Sequence, residues 1–457
     1  MASARWGALW VASAAQLMVV LDVSVINVAL PAVSDELTMT DSALQWVASG
    51  YTLAFAAGLL VGGRLADVYG LRRVFVVGLA VFVAASVVGG LAVSAEMLIA
   101  ARAVQGVGAA IVSPATFTML TRAYPEGPVR TRAVAVWTGV SLAGGGVGNI
   151  VSGVLTEVLT WRAVLLINVP IGLMVFVCAL RVLGGREDRD TDVRIDITGA
   201  VLATVGLCAI TYGVSEIGAG AGWTAGGATG LGAAALAILV ARQRRSSSPI
   251  VPVTLLRNRM VAAGNVLTLL TGASFQVPIW IFLTYLMQRS MGYSPVQAGL
   301  GFIPLTLATV VVGVAVTPRL LTRMQPRHII VAGAVFAASG FVWQAWVSHD
   351  SYLTAIAGPT IVIGIGGGLM NTPLATAVTS GIDAADAGAA SGLMNTSKQF
   401  GGALGLAALG LITNSYTDYR PAFVAMAACM GLVAAGAAVA LTPARPRVDA
   451  DATTVDR

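Results

Sequence analysis

Apolar runs close to 20 residues long follow one another along almost the whole of this chain, separated by short turns and charged loops. A run of that length, coiled as a helix, matches the hydrocarbon thickness of a bilayer. Inside lipid an open strand would leave its backbone groups unsatisfied, so the runs must be helices. Composition agrees: 57% of the 457 residues are hydrophobic, only 11% are charged and the mean hydropathy is +0.83. That is far too apolar for a soluble domain, and the expected class is an all-α membrane protein.

The spans are placed near 8–30, 44–63, 74–94, 97–119, 133–156, 163–180, 197–217, 224–241, 261–287, 296–317, 329–347, 352–374, 395–415 and 421–442, fourteen in all. The basic residues test the count. With fourteen spans, 22 of the 27 basic residues fall in alternate loops and at the termini, while Arg162, Arg289 and Arg420 lie opposite and Arg102 and Lys398 fall within spans. Positive loops stay in the cytoplasm, which puts both termini there. Reading 197–241 as one span would flip every later loop and move Arg319, Arg323 and Arg327 outside. The basic balance is therefore a topology signal, and a nucleic-acid partner is not expected. The first run follows a single Arg5 and lacks a small-residue cleavage site, so it is expected to be a retained span.

Two charged linkers, at 185–194 and 242–259, divide the chain. The expected units are an N-terminal six-helix half at 1–183, a linker with two inserted helices at 184–242, a C-terminal six-helix half at 243–442, and a cytoplasmic tail at 443–457.

Asp22 lies about fourteen residues into the first run. A charge at that depth costs about 2.5 kcal/mol or more, so it is expected to serve as a proton carrier, a counter-ion or half of a buried pair. Arg102, early in the fourth span, lies at a matching depth of roughly 8–12 Å below the outer surface at about 1.5 Å per residue. A purely structural Asp22–Arg102 pair is the plainer alternative. On a helical wheel Asp22 sits among Ala15, Met18, Val19, Ile26 and Ala29, with Ser13, Gln16, Ser24 and Asn27 opposite. Arg102, Gln105, Gly106, Ala109 and Ser113 form a small, polar stripe on one face. As the one acid placed well inside a cavity-lining span, Asp22 is expected to favour neutral, zwitterionic or singly cationic solutes over dications.

The loop Gly63-Arg64-Leu65-Ala66-Asp67-Val68-Tyr69-Gly70-Leu71-Arg72-Arg73 permits a tight connection through its glycines. Asp67 in it can face an arginine or a helix N-terminus, a charge contact that breaks when the halves rock apart. In the fifth span Gly144, Gly148 and Ser152 recur every four residues, as do Gly145, Asn149 and Gly153. This is small-xxx-small packing.

These features, with Asn27 and Pro31, Trp161-Arg162, Asn168-Val169-Pro170 and Asn395-Thr396-Ser397-Lys398-Gln399, resemble the major facilitator superfamily and, within it, the fourteen-span drug:proton antiporters. The resemblance covers nearly the whole chain. It implies two pseudo-symmetric six-helix halves that rock about a midplane site, here with two inserted helices. It also implies a gate of Gly63, Asp67, Gly70, Arg72 and Arg73, proton coupling through Asp22 and Arg102, and an antiport motif at Gly144, Gly148, Asn149, Ser152 and Gly153. Candidate cavity residues are Asn27, Gln105, Gln276, Trp280, Tyr285, Asn371, Asn395, Lys398 and Gln399. The chain departs from the family where Val68 and Leu71 replace basic loop residues and where Gly148-Asn149 and Ser152-Gly153 replace Gly-Pro and Gly-Gly. Lys398, the single lysine in the sequence, stands in place of an arginine.

The expected function is proton-coupled efflux of lipophilic small molecules by alternating access in the cell membrane. A proton symporter importing a metabolite and a non-transporting receptor or scaffold are the alternatives. The chain is not expected to be an enzyme, and no cofactor or metal is expected. Gly364 to Gly368 lacks the lysine and hydroxyl of a phosphate loop, and Cys178, Cys208 and Cys429 all fall inside apolar runs.

Overall fold

The computed structural model describes residues 2–125, 127–183, 196–218, 222–245, 255, 257–348, 351–379, 382, 387–413 and 418–441. The linker at 185–194, most of 246–256, and the tail at 443–457 lie outside the described residues. Among those described there are helices and no strands.

Among the described residues there are fourteen helical rods. The first six are α1 (Ala2–Leu37), α2 (Asp41–Tyr69), α3 (Leu71–Gly90), α4 (Ala95–Ala123), α5 (Pro128–Val158) and α6 (Trp161–Val182). Then come α7 (Ile197–Gly218) and α8 (Gly222–Gln243). The last six are α9 (Arg259–Ser290), α10 (Pro295–Leu321), α11 (Pro326–Trp346), α12 (Leu353–Thr379), α13 (Ala387–Ile412) and α14 (Arg420–Ala440). Among the described residues, 12 rods are long and apolar enough to cross a membrane. The other two, α2 and α13, run 29 and 26 residues, and the polar stretch Asn395–Gln399 dilutes the hydropathy of α13. The rods fit the fourteen expected, and the protein is a multi-pass membrane protein.

Local chemistry sets the turns. Thr40, Ser94 and Thr160 each accept a backbone N–H at the start of α2, α4 and α6. Ser294 and Gln297 form a reciprocal capping box on α10. Gly70 sits at φ 89 between α2 and α3, a conformation that a side chain would strain, so the tight reversal there needs glycine.

The strongest pairings repeat with an offset of eight rods. Thus α1 on α5, α2 on α4, α3 on α4 and α1 on α6 recur as α9 on α13, α10 on α12, α11 on α12 and α9 on α14. Two six-rod bundles are therefore built alike. Between them, α2 meets α13 and α5 meets α10, and these two contacts are mates under the same offset. The hairpin of α7 and α8 packs on the flank of that seam. Leu207 joins Leu53 of α2 and Ala403 of α13, and Trp46 and Tyr212 lie 6.1 Å apart between ring centroids.

Candidate functional site

Two polar regions lie on opposite faces of α1. On one face Asp22, with 0% of its side chain exposed, meets Arg102 of α4 at 1%. Arg102 donates from Nη1 to Asp22 Oδ2 at 2.6 Å and to Gln105 Oε1 at 2.7 Å. Asp22 Oδ1 accepts from Gln105 Nε2 and Asn168 Nδ2, both at 2.7 Å. Gln105 also donates to Ser86 Oγ of α3 at 2.7 Å, and the Ser86 hydroxyl donates in turn to Phe82 O at 2.8 Å. The Arg102 guanidinium lies over the Tyr51 ring, 4.4 Å from its centroid, and its Nε reaches Val47 O at 3.4 Å.

Each element contributes for a local reason. Pro170 cannot donate to the carbonyl four residues back, so α6 breaks at Ile167 and Asn168 turns toward α1. Gly106 brings α4 against α2: a Cβ there would lie 2.4 Å from Tyr51 O. Burial of the charge pair is tolerated because both carboxylate oxygens and the Nε and Nη1 of Arg102 are hydrogen-bonded. Asn168 Oδ1 and the Tyr51 hydroxyl are exceptions, buried with no partner among the described residues.

The other face of α1 lines a cavity of about 440 Å³ between the two bundles. Gln16, Ser24 and Asn27 line it from α1, Phe55 from α2, Trp137 from α5, and Gln276 and Trp280 from α9. Asn371 comes from α12, and Asn395, Lys398 and Gln399 from α13. Pro278 opens α9 beside it. The helix is interrupted by a turn at Gln276–Val277, and there the Trp280 indole donates to Phe275 O at 3.1 Å, which fixes the ring.

At the end of the bundle where α1 finishes, the halves are sealed together. Arg289 of α9 pairs with Asp35 of α1, and Gln288 donates to Val28 O at 2.9 Å. Glu157 of α5 caps the start of α10 by accepting from Val296 N at 3.0 Å. The two stripes of α5 part company here. Gly144 and Gly148 pack on α1 within one half, and Ser152 donates to Val25 O beside them. Gly153 meets Pro295, and Asn149 meets Gly299, across the two halves.

Seven of the nine expected cavity residues line the cavity: Asn27, Gln276, Trp280, Asn371, Asn395, Lys398 and Gln399. Two do not. Gln105 is committed to the Asp22 network, and Tyr285 is buried in the core of the second half. The expectation that Asp22 faces the cavity is also corrected. Its apolar neighbours mark the side of α1 turned toward α3, α4 and α6, so no acid stands on the described cavity wall. Of the expected gate, Gly70 makes the reversal, Arg72 donates to Leu180 O at 3.4 Å and Arg73 is exposed. Gly63 and Asp67 lie in α2, but their side chains are outside the described set.

Sequence reasoning missed Ser86, Tyr51 and Asn168 in the network, and Phe55 and Trp137 in the cavity. Asn168 carried a signal, an amide in an apolar run just before a proline. So did Gln16 and Ser24, which share the wheel face of Asn27.

Residues 12–406 match the family model described as Major Facilitator Superfamily. The chain is 53% identical to the cephamycin export protein of Amycolatopsis lactamdurans over 423 residues, 92% of this chain and 87% of that one. It is 38% identical to the puromycin resistance protein of Streptomyces alboniger, covering 90% and 82% of the two chains. With the lincomycin resistance protein of Streptomyces lincolnensis it shares 34% identity, over 96% and 92%.

Proposed function

The chain belongs to the Major Facilitator Superfamily, and we propose that within it the protein is a proton-coupled exporter of small amphipathic molecules of the antibiotic kind. The relatives named for export of or resistance to cephamycin, puromycin and lincomycin support the substrate class. The basic loops support cytoplasmic termini. The sealed end of the bundle would then face outward, and this would be a state closed to the outside. The two six-helix units would run over 1–183 and 243–442, with the inserted pair and its linker between.

One observation carries the mechanism: Asp22 and the cavity lie on opposite faces of the same helix. A proton on Asp22 would cancel the attraction to Arg102, and a half-turn of the Asn168 amide would offer Oδ1 to the new O–H. The loosened α1 would shift against α4 and α6, and its other face would reshape the cavity wall. Proton and solute thus need not touch; they compete through the position of α1. Asp67 and the Arg72–Arg73 pair would hold one gate conformation at the cytoplasmic end.

Vesicle measurements test this. Adding a transported antibiotic to inside-out vesicles should release protons from the lumen, and dissipating the pH gradient should stop solute accumulation. Co-movement of proton and solute would support the importing reading, and solute binding without proton movement a scaffold.

Among the described residues, the α7–α8 hairpin contributes none to the cavity wall. Removing residues 197–241 and rejoining the flanks keeps the parity of the rods, and binding is expected to survive with reduced transport. Loss of all binding in a well-folded deletion would place the hairpin in the pathway.

A further inference from the structure

Lys398 is the single basic residue on the described cavity wall, which carries no Asp or Glu. Its ammonium forms no ion pair among the described residues. The acids that do form one, Asp22, Asp35, Glu36 and Asp196, are each held by an arginine elsewhere. The base of the lysine is rigid. A Cβ at Gly272 would lie 2.3 Å from Lys398 O, and one at Gly401 would lie 2.1 Å from Leu269 O, so α9 and α13 touch backbone to backbone on both sides of it. Amides of Gln276, Asn371, Asn395 and Gln399 share the wall, beside the rings of Phe275 and Trp280.

An ammonium in a largely apolar cavity without a counter-charge is costly, and an anion entering beside it removes that cost. A cation meets like-charge repulsion instead. We propose that Lys398 docks a carboxylate, and that the solutes this cavity takes best are amphipathic acids whose apolar body lies on the rings. The inference rests on the exporter reading only in treating this cavity as the solute site.

Equilibrium binding tests it without requiring transport. Purified protein in lipid nanodiscs would be titrated with benzylpenicillin and with its methyl ester, which has the same body and no charge. The acid is expected to bind about 10- to 100-fold more tightly, as for a charge-assisted hydrogen bond. Lys398→Gln should erase that preference, and Lys398→Arg should keep most of it. Equal or tighter binding of the ester, absence of saturable acid binding, or an undiminished preference in Lys398→Gln would overturn the proposal. The wild-type comparison stands even if the variants fold poorly. Proton release on antibiotic addition, measured separately, would fail or succeed independently of it.

Discussion

Asp22→Asn is expected to abolish proton-driven export and also to destabilise the protein by about 3–5 kcal/mol. The sequence alone would assign the amide a silent structural effect, because it keeps the shape and only removes the titration. The geometry says otherwise. Asp22 accepts from Arg102, Gln105 and Asn168, so an amide nitrogen would face donors while Arg102 would be left as a buried charge without a counter-ion. Removing both charges, as Asp22→Asn/Arg102→Gln, should return most of the stability and none of the transport. Thermal unfolding in detergent and pH-driven uptake into inside-out vesicles read the two effects apart. Full stability of the single variant would mean that Arg102 finds another partner, and full coupled transport would remove Asp22 from the proton path.

Gly153→Val is expected to leave the folded yield near normal while reducing transport at least about tenfold. The new Cβ would stand 2.4 Å from Pro295 O, a backbone atom of the opposite half, so it blocks closure at the end where α1 finishes and spares each bundle's interior. Gly148→Val makes the contrast. Its Cβ would lie 2.7 Å from Ser24 Cβ within one half, and overpacking of that kind costs about 1–3 kcal/mol of stability. Solute binding to purified Gly153→Val should persist because the cavity is untouched. If that variant unfolds as readily as Gly148→Val and its folded fraction transports normally, the α5–α10 contact is static packing rather than part of the cycle.

The same five-residue motif on α5 thus holds two roles that its spacing alone does not separate. Gly144, Gly148 and Ser152 lie one residue away from the row of Gly145, Asn149 and Gly153, and a wheel shows only that both rows are small. Gly144, Gly145, Gly148 and Ser152 meet α1 of their own half while Asn149 and Gly153 meet α10, a split that depends on where α10 lies. The resemblance to a family placed the motif; the rods around it assigned its partners.

What the sequence by itself determined was everything governed by contact with lipid and water. Length and apolarity of each run, the sidedness of arginines in the loops, and turns at Gly70, Thr40 and Ser94 are local properties, legible without a fold. Asp22 and Arg102 could be matched in depth for the same reason, since rise per residue is fixed along a helix. Tertiary structure decided rotation. A helix whose apolar residues, chiefly Ala, Val and Leu, lie all round it offers lipid and protein nearly equal faces, so α1 could present either Asp22 or the row of Gln16, Ser24 and Asn27 to the cavity. Packing against α4 and α6 supplied Arg102, Gln105 and Asn168 as partners for the carboxylate, with Ser86 of α3 holding Gln105, and turned it inward. That left the amides and Lys398 to face the cavity, because a buried charge goes where its hydrogen bonds are met.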